Sequence, residues 1–380
     1  MFFGSSPDGS APLSEPLTVA LCGGGTGGHV MPALAIGREV RKQAPSARLI
    51  YIGNSDNLEE RLAKNENIDF FPVSIKPLRR GVIFPNLTVP FKALWSIFEA
   101  NSILKKQRVN FVFGSGGFSS WPACAAARMF GRPYFLTDGN AYPGLVTRLL
   151  GKRAHKVFIT FEETKAYFGQ ATTNFQTTGF PVSDLISSMN KRDARSLLKI
   201  DPNSPTILAT GGSGGAKTIN KTLSSIRKEL ISKGYNVIWQ TGRHWDIEQE
   251  IDDLTPGKLL IERFLEPARM AAAIASADLA ITRCGIMTLS ELAVAGLPAI
   301  LVPFPFSAEG HQEANARAVE SAGGGKLVLD KDFTGTKALE TIESLMKPET
   351  LAKMASSIRK FARPEAAQSI VRTMLETVNA

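Results

Sequence analysis

The 380-residue sequence holds three cysteines, Cys22, Cys124 and Cys284, and no two of them stand at C-x-x-C or other metal-ligand spacing. A disulfide scaffold and a cysteine-bound structural metal are therefore not expected; a reduced cytosolic protein with packing cysteines is. No run of 18 uninterrupted apolar residues occurs, so no membrane-spanning helix is expected. Residues 1–16, MFFGSSPDGSAPLSEP, lack a basic start and a long apolar core. They read as a disordered lead-in rather than a signal peptide. Aromatic residues interleaved with basic ones, the mark of a nucleic-acid stacking platform, are missing too, so no nucleic-acid partner is expected. No D-x-D metal motif is expected to serve a cleft, because Asp252-Asp253 falls in a polar helical stretch.

What the sequence has is glycine in loops and positive charge. The length favours two domains, and 43% hydrophobic residues suffice for packed cores. The net charge of +9 points to an anionic partner. Between Lys76 and Arg108 there are seven basic residues against one acid, Glu99.

The apolar run Leu17–Cys22 reads as a buried strand, and Gly23-Gly24-Gly25-Thr26-Gly27-Gly28-His29 follows it at once. Beyond His29, the residues Val30, Ala33, Leu34, Ile36 and Val40 recur at helical spacing. Strand, glycine turn and helix together present backbone N–H groups and a helix N-terminus to a phosphate. Gly23, Gly25 and Gly28 satisfy G-x-G-x-x-G, the dinucleotide pattern. The next strand, however, ends Ile52-Gly53-Asn54-Ser55, with Asp56 late for a ribose-binding acid. A dehydrogenase loses weight accordingly.

Strands are expected at 48–53, 70–73, 111–113, 134–137, 157–159 and 175–178, with helices at 58–65, 122–130 and 145–150 between them. After Gly179-Phe180-Pro181-Val182, a plausible hinge, the strand 205–210 opens into Gly211-Gly212-Ser213-Gly214-Gly215-Ala216 and a further helix. Strands at 237–239, 279–281 and 299–302 follow. Strands alternating with helices at this pitch specify parallel, doubly wound α/β sheets, and the repeated opening motif specifies two of them facing one cleft. The expected division is 17–180, 181–362 and a last helix, 363–380, beyond the Pro364 break.

Ligands gather at the carboxyl ends of parallel strands, so the candidate residues lie in the loops there. His29 either closes the glycine turn or supports acid–base work, with the helix N-terminus favouring its neutral ring. Glu291 either completes a capping box in Thr288-Leu289-Ser290-Glu291 or accepts two ribose hydroxyls. Residues 76–104 also admit two readings. Leu94, Trp95 and Phe98 fit one helical face, as a loop plus buried helix requires. The same stretch suits an exposed apolar patch rimmed by cations, which docks on an anionic bilayer.

Four stretches, GGGTGGHVMPALAIGREV, GSGGFSSWPACAAA, TGGSGGAKTIN and RCGIMTLSELAVAGLPAILVPFPF, resemble the MurG family in colinear order from about Leu17 to beyond Leu327. Those enzymes are UDP-N-acetylglucosamine–N-acetylmuramyl-(pentapeptide) pyrophosphoryl-undecaprenol N-acetylglucosamine transferases of peptidoglycan synthesis. The resemblance implies the GT-B fold, two Rossmann-like domains with the last helix crossing back to the first. It implies inverting sugar transfer to a lipid-linked muramyl-pentapeptide without a cofactor or metal, at the cytoplasmic face of a bacterial inner membrane. Protein partners of cell-wall synthesis are compatible with it.

On the residues that match the family, Gly25, Thr26, Gly27, Gly28, Gly116 and Gly117 would face the acceptor. Gly212, Ser213 and Gly214 would meet the donor diphosphate, with Ile286, Met287 and Thr288 turning over it. The backbone at Phe264-Leu265 would meet uracil and Glu291 the ribose. Asn140, Gln312 and Asn315 would lie near the transferred sugar. The base would be His29 or Asp138. Departures accompany the match: Phe180-Pro181-Val182-Ser183 stands for Asn-Pro-Val-Arg, Thr137-Asp138-Gly139-Asn140 for His-Glu-Gln-Asn, and His311 for a cleft glutamine. Rival readings are another GT-B glycolipid transferase, a UDP-sugar epimerase, or a non-catalytic nucleotide-sugar binder.

Overall fold

The structure is a computed structural model that describes residues 16–55, 57–75, 89–183, 185–246, 258–307 and 310–379. The expected lead-in, the basic run Lys76, Arg79 and Arg80, and Asp252-Asp253 lie outside the described residues. Among the described residues, thirteen strands form two wholly parallel sheets. The first holds β1 (Thr18–Cys22), β2 (Arg48–Gly53), β3 (Asp69–Pro72), β4 (Phe111–Gly114), β5 (Tyr134–Asp138), β6 (Lys156–Ile159) and β7 (Phe175–Thr177). The second holds β8 (Thr206–Thr210), β9 (Asn236–Gln240), β10 (Leu259–Glu262), β11 (Leu279–Thr282), β12 (Ala299–Leu301) and β13 (Gly325–Leu327). Strand order is β3-β2-β1-β4-β5-β6-β7 in one and β10-β9-β8-β11-β12-β13 in the other.

The apolar composition of the strands explains these sheets. A parallel strand with helices on both faces is buried on both, so it reads as a continuous apolar run. TVALC and TILAT, the sequences of β1 and β8, are buried at every position. In β1, Val19 and Leu21 face one core, and Ala20 and Cys22 face the other. In β8, Ile207 and Ala209 likewise part from Leu208. Each fully buried Leu or Ile here contributes about 1.5–3 kcal/mol. The last helix, Ala366–Asn379, buries Ile370, Val371 and Met374 in the same core as Leu21 and Leu34, so the end of the chain covers the first sheet.

Two strands had no counterpart in the sequence reading. β10 is only partly buried along its length, and β13 has three residues, the middle one an exposed lysine. β10 has only the short run Leu259-Leu260-Ile261 before Glu262, and β13 has none. The helix Val89–Lys106 decides between the two readings of its apolar stripe. Its buried side chains are Ser96, Ile97, Ala100, Asn101 and Leu104, whereas Leu94, Trp95 and Phe98 are exposed. The stripe Leu94, Trp95 and Phe98 faces outward, and Ile97, Ala100 and Leu104 pack inward.

Strand order fixes where a ligand can lie. Order reverses between β1 and β4 in one sheet and between β8 and β11 in the other, and loops leaving such a pair diverge to opposite faces. Both glycine-rich motifs, 23–28 and 211–215, leave a strand at such a switch point.

Candidate active site

In the first half, β1 runs through Gly23–Thr26 into the helix Gly27–Gln43, and β4 runs through Ser115–Gly117. Thr26 is the N-cap and makes no side-chain cap bond. The N–H groups of the helix's first turn lack intrahelical acceptors. The two loops touch backbone to backbone. Gly117 has φ +73°, and a Cβ there would lie 2.1 Å from the Gly24 carbonyl oxygen. No side chain fits that contact.

His29 is wedged between these loops. Its Nδ1 lies 3.1 Å from the Ser115 carbonyl oxygen, which only accepts, so Nδ1 carries the proton and Nε2 the lone pair. The Ser115 N–H donates to Cys22 O at 2.9 Å, and its hydroxyl donates to the His29 carbonyl. A Cβ on Gly116 would sit 2.9 Å from the imidazole. Burial holds the His29 pKa below the usual histidine range, against the opposing pull of the Ser115 bond and the Asp138 charge. The neutral ring thus owes its state chiefly to burial, where a helix terminus had been expected to provide it.

The second half repeats the device. β8 ends in Gly211–Ala216 and the helix Lys217–Ser232, with Ser213 and Gly214 exposed at the tip of the turn. The Gly212 N–H donates to Thr210 Oγ1 at 3.1 Å and the Gly215 N–H to Gly212 O at 3.0 Å. Gly215 has φ +78°, and a Cβ there would lie 2.2 Å from Thr241 O. Buried Gln240 ties this turn to the next loop, donating to Thr210 Oγ1 at 3.1 Å and accepting from the Leu265 N–H at 2.8 Å. After β11, Gly285 caps the helix Ile286–Ala295, which brings Met287 and Thr288 into its first turn.

The halves meet on one side of the cleft. Asn315 is fully buried; its Oδ1 accepts from the Ala141 N–H at 3.1 Å, and its Nδ2 lies 3.2 Å from both Asn140 Oδ1 and Cys284 O. Asn140 Nδ2 faces Asp138 Oδ1 at 3.4 Å. Asp138 is buried and accepts from the Asn140 N–H at 3.2 Å and the Gly144 N–H at 2.8 Å, closing its own loop. Gln312 Oε1 accepts from the N–H groups of Cys284, at 3.2 Å, and Phe304, at 2.9 Å. That fixes one end of its amide and leaves Nε2 as the donor. Asp138 and His311 both act on the charge of His29, so groups from both sheets converge on the imidazole.

The family models for the glycosyltransferase family 28 N-terminal and C-terminal domains match residues 19–159 and 206–370. The UDP-N-acetylglucosamine–N-acetylmuramyl-(pentapeptide) pyrophosphoryl-undecaprenol N-acetylglucosamine transferase of Desulfitobacterium hafniense is 37% identical, over 95% of this chain and 99% of its own. The enzyme of the same name from Moorella thermoacetica is 34% identical over 96% and 100%. Acinetobacter baumannii MurG superposes with TM-score 0.73 at 30% identity, over 95% of this chain and 99% of that one. The chain belongs to the MurG family of glycosyltransferases. Its two sheets are therefore the two halves of a GT-B enzyme. A UDP-N-acetylglucosamine 2-epimerase from Neisseria meningitidis shares this architecture at TM-score 0.67 but only 17% identity, a likeness of fold alone.

Two departures from the family pattern explain each other. Gly139 stands where the pattern has glutamine, and a Cβ on it would lie 2.5 Å from both the Phe180 ring and Ile286 Cγ1. Phe180, standing for asparagine, occupies the room a longer residue at 139 would take, and with Phe161 and Ile286 it forms a small core between the halves. Three residues of the site escaped sequence reasoning: Ser115, Gln240 and Asp330. A serine in a glycine loop and a glutamine ending a strand carry no distinguishing signal. Asp330 did offer one, since Asp330-Lys331-Asp332 is an Asp-x-Asp triplet. Its carboxylate, however, is engaged by Arg283 and Thr218. Among the described residues no group of three or more His, Cys, Asp or Glu is placed to hold a metal ion.

Glu291 does not cap a helix. The helix begins at Ile286, so Glu291 lies more than a turn inside it. Burial pushes its carboxyl pKa up to about 7. Carbon-13 NMR of labelled glutamate should show a carboxyl titrating near pH 7 that vanishes in Glu291→Gln; a full set of midpoints near 4.5 contradicts this assignment.

Proposed function

We infer that this chain transfers N-acetylglucosamine from UDP-N-acetylglucosamine to the 4-hydroxyl of undecaprenyl-diphospho-N-acetylmuramyl-pentapeptide, with inversion at the anomeric carbon. The observation that carries this reading is the full-length likeness to transferases of that name. The epimerase alternative rests on fold alone.

In the mechanism we propose, the acceptor oxygen forms a bond to the anomeric carbon as the bond to the UDP oxygen breaks. The acceptor proton goes to Nε2 of His29, whose lone pair the Nδ1–Ser115 bond leaves in place. Asp138 holds its loop rather than taking the proton, because both its oxygens accept hydrogen bonds there. The departing UDP is met by backbone N–H groups of Gly212, Ser213 and Gly214 and of the helix starting at Ile286, dipoles fixed before the reaction begins. Leu265 borders the base, Glu291 accepts the ribose hydroxyls, and Gln312 donates to the sugar. Asn315 and Asn140 shape the sugar site indirectly, through the bond between them. Gly25, Thr26, Gly27, Gly28, Gly116 and Gly117 take the acceptor diphosphate. The Glu291 pKa sets a sign: its carboxylate exists above about pH 7, so donor affinity falls as pH drops through 7.

Docking on the cytoplasmic face of the inner membrane belongs to the same proposal. Phe91, Leu94, Trp95 and Phe98 of one helix, Met129 and Phe130 ending the next, and Leu145 and Leu149 of a third are exposed. The Phe98 and Phe130 rings meet at 6.3 Å, and Arg128 reaches Leu149 O at 3.1 Å, which joins the three helices into one surface. Exposed Lys92, Lys105, Lys106, Lys152 and Arg153 rim it. Apolar area in a cationic frame suits an anionic bilayer. No helix among the described residues is long and apolar enough to cross a membrane.

Two experiments test this. With a soluble lipid-linked acceptor analogue and labelled UDP-N-acetylglucosamine, wild type should transfer the sugar. His29→Ala should lose about 10²–10⁴-fold in kcat, the range of general-base catalysis. Wild type that binds donor but transfers nothing defeats the reading. In flotation with phosphatidylglycerol vesicles, Trp95→Glu/Phe98→Glu should abolish binding without altering transfer to the soluble analogue. Undiminished flotation of that variant removes the membrane surface.

A further inference from the structure

The donor half contains a buried ion pair that the mechanism does not use. Arg283 follows β11, and its Nη1 lies 2.5 Å from Asp330 Oδ1, 3.1 Å from Val302 O and 3.2 Å from Pro303 O. Both side chains are largely buried, 12% and 20% exposed. The other carboxylate oxygen, Oδ2, accepts from Thr218 Oγ1 at 2.9 Å. Thr218 is the second residue of the helix that leaves the Gly211–Ala216 turn. The Arg283 guanidinium also lies 5.6 Å from the Phe304 ring centroid, and the Phe304 N–H is held by Gln312.

This single carboxylate therefore ties together four strand-end segments. Through Thr218 it reaches the segment after β8. Through Arg283 it reaches the segments after β11 and β12, while Asp330 itself follows β13. Charged hydrogen bonds in a low-dielectric site are short and directional, and they fix geometry better than neutral ones. A helix start or a turn displaced by an ångström weakens any phosphate contact that its N–H groups make.

We propose that Asp330 is a positioning residue for the donor diphosphate: through Thr218 and Arg283 it holds the glycine turn at 211–216 and the turn at 283–288 at the spacing one nucleotide-sugar diphosphate spans. This rests on the donor site proposed above and extends it to a residue that touches no substrate. The same pairing commits the first aspartate of Asp330-Lys331-Asp332 to protein partners.

The test uses Asp330→Asn, Asp330→Ala, Thr218→Val and the Thr218→Val/Asp330→Ala double variant. Each is measured for UDP affinity by calorimetry, for donor and acceptor KM, and for thermal unfolding. Asp330→Asn keeps the shape and an acceptor for Thr218 while removing the charge facing Arg283. We expect it to raise UDP Kd and donor KM about tenfold and leave acceptor KM within twofold. Thr218→Val should add little once Asp330 is alanine. Wild type that binds no UDP would defeat the donor-site reading itself. Wild type that binds, beside a folded Asp330→Ala with donor KM within twofold, overturns the positioning role. So does a fall in active fraction that leaves both KM values alone.

Discussion

Backbone-to-backbone contact between glycine loops is the constraint on which the site depends. The loop leaving β1 presses against the loop leaving β4 across the first switch point, Gly24 against Gly117, and the loop leaving β8 presses against the loop leaving β9, Gly215 against Thr241 and Gly242, each at a distance that excludes a Cβ. The approach matters because peptide N–H groups reach a phosphate only where no side chain stands in front of them. It also places the site under the control of strand order, since only loops that diverge at a reversal leave room between them. Helix starts at Gly27 and Lys217 supply the remaining donors. Cationic side chains are then free to serve elsewhere, and here Arg283 is spent on holding loops rather than on substrate.

The fold was legible because parallel sheets buried on both faces write themselves as apolar runs ending in glycine. Most inner strands announced themselves this way, while β6 and β12 did so by their apolar runs alone, with no glycine after them. β10 and β13 did not, being an edge strand and a three-residue strand with a lysine at its centre. The helix at 89–106 left two readings open for a related reason. Helical periodicity locates an apolar stripe but does not say whether that stripe faces inward. Ile97 and Leu104 fill the buried face and Ser96 and Ala100 leave room for a close approach to the neighbouring helix, while Trp95 and Phe98 project.

Within the site, legibility followed chemistry. Glycine turns and His29 carry recognisable residue types at strand ends, Glu291 lies inside the helix after β11, and the resemblance to the family supplied their expected roles. Supporting residues were harder to see. Ser115 acts through its carbonyl as much as its hydroxyl, Gln240 joins two loops from inside a strand, and Asp330 works only through partners distant in sequence. Ser115 and Gln240 have no local signature, and the Asp-x-Asp triplet at Asp330 does not name its partners, since each role exists only once the sheet brings separate segments together. The departures from the family pattern show the same dependence. Gly139 and Phe180, each odd in isolation, are one packing solution that lets the two halves touch beside Asn315.

In the proposed function, the glycine loops of the two sheets serve different substrates, the second one the nucleotide. Hydrogen exchange with and without UDP separates the two loops. Added protection is expected at 211–217, at 264–265 and across 286–291, with the exchange of 23–29 and 114–117 unchanged. Protection that falls on 23–29 instead would put the nucleotide in the first sheet and contradict this reading.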